Sequence, residues 1–225
     1  MTEEEWDRCT DPEAMLHYLR GRASDRKLRL FCCACCRHVW DSLTDMRSRS
    51  AVETAERYAD GSASRGELAA AEQAVEAVAF EEARARAAAM LPVPHVTQAA
   101  LAAVAEKVDA TIWAAWSASE AALGPGEERW HQCTLLRDIF GNPVRPVAID
   151  PAWLVWYGGA AAKLAQAVYD ERELPSGHLD ASRLAVLADM LEEAGCPDPQ
   201  LLGHLRGPGP HVRGCFAVDL LLGKS

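Results

Sequence analysis

The sequence predicts an all-α protein, a multi-helix bundle followed by a C-terminal helical subdomain. Alanine is abundant and β-branched residues are few outside the middle of the chain, a composition that favours helix over strand. Apolar residues recur at spacings of three and four along most segments, as they do on one face of a helix. Serine, threonine or aspartate precedes many of these segments and glycine follows them, which are the residues that begin and end helices.

These signals define the N-terminal elements in order. Thr2 opens a run that resembles a capping box, and Asp11 followed by proline starts a second helix that ends at Gly21. Pro92 and Pro94 separate the two longest helical segments, which predicts an antiparallel helical hairpin. The predicted helices that follow Gly21 cover residues 28–43, 44–58, 64–90, 97–123 and 127–140. Ser24, followed by Asp25, is the expected N-cap of the first of these.

The composition changes after residue 140. Residues 141–151 contain three prolines, which predicts an extended or looped segment. We therefore expect a helical bundle over residues 1–140, and a Pro-rich strap with a C-terminal helical subdomain over 141–225. A single domain over 1–225 is the alternative. Beyond the strap, we expect a helical turn from Pro151 and helices over 160–173, 182–194, 200–205 and 216–222.

The segment over residues 28–43, LRLFCCACCRHVWDSL, has the densest cluster of chemically active side chains. Helical spacing places three of its four cysteines towards the presumed core, and free cysteine is among the most buried residue types, so core packing is favoured. The alternative is a metal or thiol-redox site, because Cys32 and Cys36 are one turn apart and Cys33 and Cys36 form a Cys-x-x-Cys pair. A disulfide in the middle of a helix would be strained, which argues against a thioredoxin-like motif.

The loop over residues 206–215 is the second chemical candidate, because its glycines and prolines specify an unusual backbone and functional groups concentrate on such loops. His204, His211 and Cys215 could join Cys36 or His38 around one ion, and mixed Cys/His ligation suits zinc. Because the spacing specifies little, the favoured interpretation is a rigid loop with an exposed histidine and a buried cysteine. The candidate metal ligands are therefore Cys32, Cys33, Cys35, Cys36, His38, His211 and Cys215, with zinc as the candidate ion.

No catalytic or cofactor-binding motif is present in the sequence. It lacks a phosphate-binding GxxxxGK[ST] loop, a GxGxxG after a strand, HExxH and GxSxG. A nucleophilic pair of Cys133 with His131, or of Cys215 with His211, is disfavoured because neighbours in sequence rarely present the base correctly. We predict no catalytic residue.

The charge distribution bears on partners. The formal net charge of −10 disfavours general nucleic-acid binding, which needs clustered lysine and arginine. Residues 20–49 are the exception, with eight basic residues against three acidic ones, and we expect them to pair with the acidic helices that follow. They are the one candidate segment for nucleic acid. The eight basic residues are Arg20, Arg22, Arg26, Lys27, Arg29, Arg37, Arg47 and Arg49.

The cellular compartment is predicted from targeting and membrane-spanning signals, which the sequence does not show, and from its cysteines. Met1 is followed by Thr-Glu-Glu-Glu rather than by basic and then apolar residues, so no secretion signal is expected. No apolar run approaches the ~20 residues that a transmembrane helix needs. Eight cysteines without a secretion signal are typical of reduced thiols, and we expect a cytoplasmic protein that does not bind membranes.

Two resemblances of the sequence to known families concern the origin of the chain. The run from Arg183 to Gly195, with Leu-Ala-Asp-x-Leu-Glu-Glu-x-Gly, resembles a short repeat-companion domain of planctomycete and myxobacterial proteins, although Met190 stands where that pattern usually shows tryptophan. The whole chain resembles an uncharacterised paralogous family expanded in planctomycetes, through the phrases ASDRKLRLF, RDIFGNP and the loop over residues 207–214. The second resemblance implies a shared lineage over the full length, the first concerns its short stretch alone, and neither assigns a catalytic residue.

The leading functional hypothesis is a non-catalytic cytosolic interaction or scaffold protein with a protein partner. The alternative hypothesis is a metal-binding or thiol-redox protein that uses the cysteines of residues 32–36.

Overall fold

The computed structural model describes residues 1–89, 96–106 and 125–224. These residues form helices and no strand, which confirms the predicted all-α class, and one isolated antiparallel bridge joins His178 to Val212. None of the described helices is long and apolar enough to cross a membrane. The predicted turn at Pro92 and Pro94, and the predicted helix over 97–123 beyond residue 106, lie outside the described residues.

The helices are numbered in chain order. They are α1 (Glu3–Arg8), α2 (Pro12–Leu19), α3 (Asp25–His38), α4 (Met46–Ala59), α5 (Arg65–Ala89), α6 (Val96–Val104), α7 (Pro125–Phe140), α8 (Pro151–Asp170), α9 (Ala181–Glu193), α10 (Pro199–Leu205) and α11 (Phe216–Leu222), with a 3-10 helix at Trp40–Ser42.

The chain divides into two compact units. The cysteine unit is formed by residues 10–133, and the C-terminal unit by residues 1–9 together with 134–225. The division falls inside α7, between Cys133 and Thr134, whereas the predicted boundary lies at the end of that helix.

The first three helices begin at the predicted residues. Thr2 and Glu5 form a reciprocal capping box, in which the Glu5 N–H donates to Thr2 Oγ1 and the Thr2 N–H donates to Glu5 Oε2. Asp11 and Ser24 cap α2 and α3 by accepting from backbone N–H groups of the first turn. These caps satisfy donors that a helix start otherwise leaves unpaired.

Two helices are shorter than predicted. Helix α3 ends at His38 rather than at residue 43, because Arg49 of α4 donates to the backbone oxygens of Trp40 and Leu43 and these contacts hold a separate 3-10 turn. Helix α6 ends at Val104, and the next two residues are not helical.

Helix α3 is the centre of the cysteine unit. It packs against α4 and α6, while α5 packs against α4 and α6. Every residue from 28 to 37 is buried, including all four cysteines. A helix buried on all its sides is expected in the interior of a domain rather than on its surface. The favoured interpretation of the four cysteines as core residues is therefore confirmed.

Two buried arginines of α3 join it to its neighbours. Arg37 donates from Nε and Nη2 to the two carboxylate oxygens of Glu56 on α4, at 2.9 and 2.8 Å, and both side chains are 3% exposed. Arg29 donates to the backbone oxygen of Ala103 on α6 at 2.6 Å. Because a buried charge needs a partner, these contacts specify how α3 meets α4 and α6.

The C-terminal unit is built around α8, which packs against α9 and α11, while α10 packs against α9 and α11. Helix α8 is interrupted at residues 156–159, where Tyr157 and the two glycines after it have positive φ. This is the break that the glycine pair predicts. Leucine and alanine side chains of α8 and α9 fill the core, with Tyr169 and Phe216 as its largest aromatic members.

We expect Glu56→Ala to destabilise the cysteine unit by about 3–5 kcal/mol, because it leaves the buried Arg37 guanidinium without its carboxylate. Urea unfolding measures this loss. The matched control is Glu81→Ala, which breaks an exposed pair with Arg47 and should cost at most about 1 kcal/mol. Equal costs for the two variants would contradict this role of the buried pair.

Candidate metal centre

Four side chains of the C-terminal unit converge on one point. Asp138 lies in the last turn of α7, His204 in the last turn of α10, and His211 and Cys215 in the loop between α10 and α11. One ligand atom from each lies within 4.8 Å of all the others. Within residues 1–89, 96–106 and 125–224, this is the one such group of three or more potential ligands.

The Asp138 carboxylate is the centre of the group. Its Oδ1 lies 3.0 Å from His204 Nε2 and 2.9 Å from His211 Nδ1, and its Oδ2 accepts from the Val212 backbone N–H at 2.9 Å. The Cys215 Sγ lies 3.3 Å from the same Nε2 of His204. Oxygen, two nitrogens and sulfur therefore surround one small volume.

Burial and the neighbouring charges both change the pKa values of this group, in opposite directions at Asp138 and His211 and in the same direction at Cys215. Asp138 is 2% exposed, and this burial would raise its pKa, but hydrogen bonds from His204 and His211 outweigh it and lower the pKa to about 2. Burial would likewise lower the pKa of His211, but the hydrogen bond to Asp138 raises it above its ordinary value. Burial, with the nearby Asp138 charge, raises the pKa of the Cys215 thiol well above its ordinary value.

The two ring nitrogens of His211 have different partners. Nδ1 faces Asp138 Oδ1, and Nε2 lies 3.3 Å from the backbone oxygen of Gly207. Without an ion, both contacts are hydrogen bonds only if the imidazole carries two protons. With an ion in the site, Nε2–H still donates to Gly207 and Nδ1 is free to act as a ligand, the usual arrangement of a metal-binding histidine.

The backbone of residues 207–215 brings His211 and Cys215 inward. Gly209 has a φ of +79°, and a Cβ there would lie 2.9 Å from the His211 backbone nitrogen, so no other residue fits without displacement. The His211 backbone oxygen accepts from the Leu179 N–H at 2.8 Å, and the Cys215 N–H donates to the Val212 oxygen at 2.9 Å. The first contact attaches the loop to the preceding chain, and the second closes a turn within the loop.

The geometry fits a tetrahedral transition-metal ion. Zinc bonds of about 2.0–2.3 Å put neighbouring ligand atoms roughly 3.3–3.7 Å apart. The three contacts of 2.9–3.3 Å would have to lengthen by up to about half an ångström to reach that range, and the widest separation, up to 4.8 Å, would have to shorten by about 1 Å. Imidazole, thiolate and carboxylate together suit zinc, whereas calcium and magnesium take oxygen ligands.

The same contacts do not form a nucleophilic relay. In a relay from thiol to base to carboxylate, the nucleophile and the carboxylate contact opposite nitrogens of the histidine. Here Cys215 and Asp138 contact the same Nε2 of His204. The nitrogens of His211 face Asp138 and Gly207, so this ring does not present a base to Cys215.

The structure brings together two of the sequence-predicted ligands, His211 and Cys215. The histidine is 3% exposed, which corrects the expectation that a rigid loop would leave it on the surface. His204, which the sequence also indicated as a possible partner, joins them. Cys36 and His38, the residues considered for the same ion, belong to the cysteine unit and not to this group.

The cysteines of α3 are in a different environment. Burial raises the pKa of Cys32 to about 12, and it raises the pKa of Cys33, Cys35 and Cys36 well above the ordinary thiol value. A nucleophilic or ligating thiolate is disfavoured under these conditions. His38 lies 3.3 Å from the Glu128 carboxylate and stacks on the ring of His131 at a centroid distance of 3.6 Å.

Sequence reasoning missed Asp138 as a ligand. Its histidine partners are 66 and 73 residues away, so no local spacing marks it. The one signal available was an acidic residue at a buried position of α7, next to the buried Ile139. The phrase RDIFGNP, which carries one of the resemblances given above, contains this residue.

The arginines of residues 20–49 have partners inside the cysteine unit. Arg26 pairs with Asp60 at 3.1 Å, and Arg47 pairs with Glu81 at 2.6 Å. Arg37 likewise pairs with Glu56, so the expected pairing with neighbouring helices is supported for these three arginines. Arg29 and Arg49 donate instead to backbone oxygens, which carry no net charge.

Comparison with known proteins found no match: no family model, no curated protein and no solved structure is similar to this chain.

We expect the native thiols to be nearly inert. All eight cysteines are free and seven are buried, with only Cys9 partly exposed. A native titration with a thiol reagent near pH 8 should show about one fast-reacting group, and eight after denaturation, because both burial and a raised pKa suppress the thiolate. Cys9→Ser should remove the fast phase, and fast reaction of the α3 cysteines would contradict the core interpretation.

Proposed function

We propose that this protein is a metal-binding helical protein, and that its C-terminal unit binds one zinc ion through Asp138, His204, His211 and Cys215. The observation that carries the proposal is the convergence of four ligand atoms, of three chemical types, within 4.8 Å of one another. Buried ionisable groups are stable when their charges are paired or when they coordinate a metal ion. Zinc is the divalent cation that suits a set of carboxylate, imidazole and thiolate ligands.

The proposed role of the ion is structural. Four protein ligands complete a tetrahedron, whereas a catalytic zinc keeps one position for water or substrate. Asp138, His211 and Cys215 are at most 3% exposed, so substrate has little access. His204, with a side chain that is 20% exposed, is on the open side and gives the ion a way in.

The test is metal content and metal affinity of the purified full-length protein. We expect one zinc per chain by elemental analysis, and a cobalt-substituted protein with the intense visible absorption of a tetrahedral site. Cys215→Ala and His204→Gln should each weaken zinc binding by more than the ~10–100-fold that losing a second-shell partner costs.

Two variants serve as matched controls. Cys196→Ala removes a buried cysteine and His178→Gln a partly buried histidine from the same unit, and neither residue belongs to the ligand group. Both variants should keep one zinc per chain. A wild-type protein without stoichiometric metal that also takes up no zinc or cobalt would overturn the proposal.

We propose, as a second candidate function, a non-catalytic interaction or scaffold role in the cytosol. The supporting observation is the display of apolar side chains on α8, where Val155 is 73% and Tyr157 is 83% exposed. Tyr157 has a φ of +48°, a strained conformation for a residue other than glycine, and such strain is often found at functional positions. Eight free thiols support a reducing compartment.

Pull-down from the native host tests this second role. We expect a captured protein that is lost with the double variant Val155→Ser/Tyr157→Ser and kept with Gln166→Ala, which changes an exposed polar residue of the same helix. Capture of the same proteins by both variants would contradict a role for this surface.

A further inference from the structure

The N-terminal helix is docked on the end of α7 that carries Asp138. Trp6 is fully buried, and its indole N–H donates to the backbone oxygen of Gly141 at 2.8 Å. Arg137, next to Asp138, donates to the backbone oxygens of Trp6 and Cys9. A fourth contact is the hydrogen bond that the Asn142 amide donates to Asp7 Oδ1 at 3.0 Å. Helix α1 is therefore held by residues 137–142.

Helix α1 depends on this docking for its order. It has six residues, and an isolated helix of that length is not stable in water. Its capping box and its acidic first turn favour the helix, but Trp6 is its one buried side chain. When Trp6 leaves its site, the helix loses the packing that holds it, so undocking and melting of α1 are one event.

A second path joins the ligand group to the same place. The Phe216 ring packs on the ring of the ligand His204, with centroids 4.5 Å apart. Phe216 also lies close to Gly141, where a Cβ would lie only 2.9 Å from the aromatic ring. Gly141 is also the residue that binds Trp6. Both Asp138 and His204 thus connect to the α1 docking site, one through the backbone of α7 and one through Phe216.

We propose that metal binding latches α1 onto the rest of the C-terminal unit. The ion orders the turn that carries Asp138 and the Phe216 side chain, and its loss releases α1 from them. This inference rests on the proposed zinc site. An ion that holds Asp138 and His204 in place also restrains the end of α7 and the Phe216 ring, which together position Gly141 for Trp6. A local region opens more readily when fewer contacts restrain it. The coupling must be reciprocal, so weakening the latch must weaken metal binding by the same factor.

Hydrogen exchange of the full chain, with and without a chelator, tests the latch. We expect peptides of residues 3–9 to exchange at least about fivefold faster after metal removal, the lower end of typical coupling between sites. Peptides from α9 (Ala181–Glu193) in the same unit, and from α4 in the cysteine unit, should exchange at unchanged rates. Metal content is measured on the same samples.

A variant tests the reverse direction. Trp6→Phe keeps an aromatic ring and removes the donor to Gly141, so it should speed exchange of residues 3–9 and weaken zinc affinity by a similar factor. Tyr18→Phe, in the cysteine unit, is the matched aromatic control and should change neither.

Each failure has its own signature. If the protein binds metal but residues 3–9 exchange at the same rate with and without the chelator, the latch is overturned and the proposed metal site stands. Faster exchange of the whole C-terminal unit, α9 included, also overturns it, because the ion then holds the unit and not α1 in particular. A protein that takes up no zinc overturns the proposed function and the latch together.

Discussion

The buried carboxylate of Asp138 constrains how α7 meets α10 and the loop that follows α10. A carboxylate in the interior is stable as an anion only when donors surround it. His204, His211 and the Val212 N–H supply those donors from two separate segments. The last turn of α10 and the loop after it must therefore lie against α7, and the shape of that loop, with Gly209 at positive φ, follows from this requirement.

Cysteine has two different roles in this chain, and local sequence does not distinguish them. The four thiols of α3 are buried in the interior of the cysteine unit, and this burial raises the pKa of each of them. Cys215 is as deeply buried, but its sulfur lies 3.3 Å from an imidazole nitrogen in a cluster that already holds a carboxylate. A bound cation would lower the pKa of this thiol and convert it into a ligand.

Local signals predicted most of the fold. Thr2, Asp11 and Ser24 cap helices as expected because a cap depends on three neighbouring residues. The end of α3 was predicted five residues too late, since it depends on Arg49 from the next helix. Of the site, His211 and Cys215 could be found because glycine and proline mark their loop. Asp138 could not, because its partners are distant in sequence.

The lengths of the helices explain why a metal ion would matter in this unit. Helices α10 and α11 have seven residues each, too few for either to be stable alone. The loop between them carries two of the proposed ligands, and the other two lie at the ends of α10 and α7. One ion would then close the long chain segment between Asp138 and His204, where cross-linking restricts the unfolded chain most. We infer that the ion would supply order that these short helices cannot provide by packing alone.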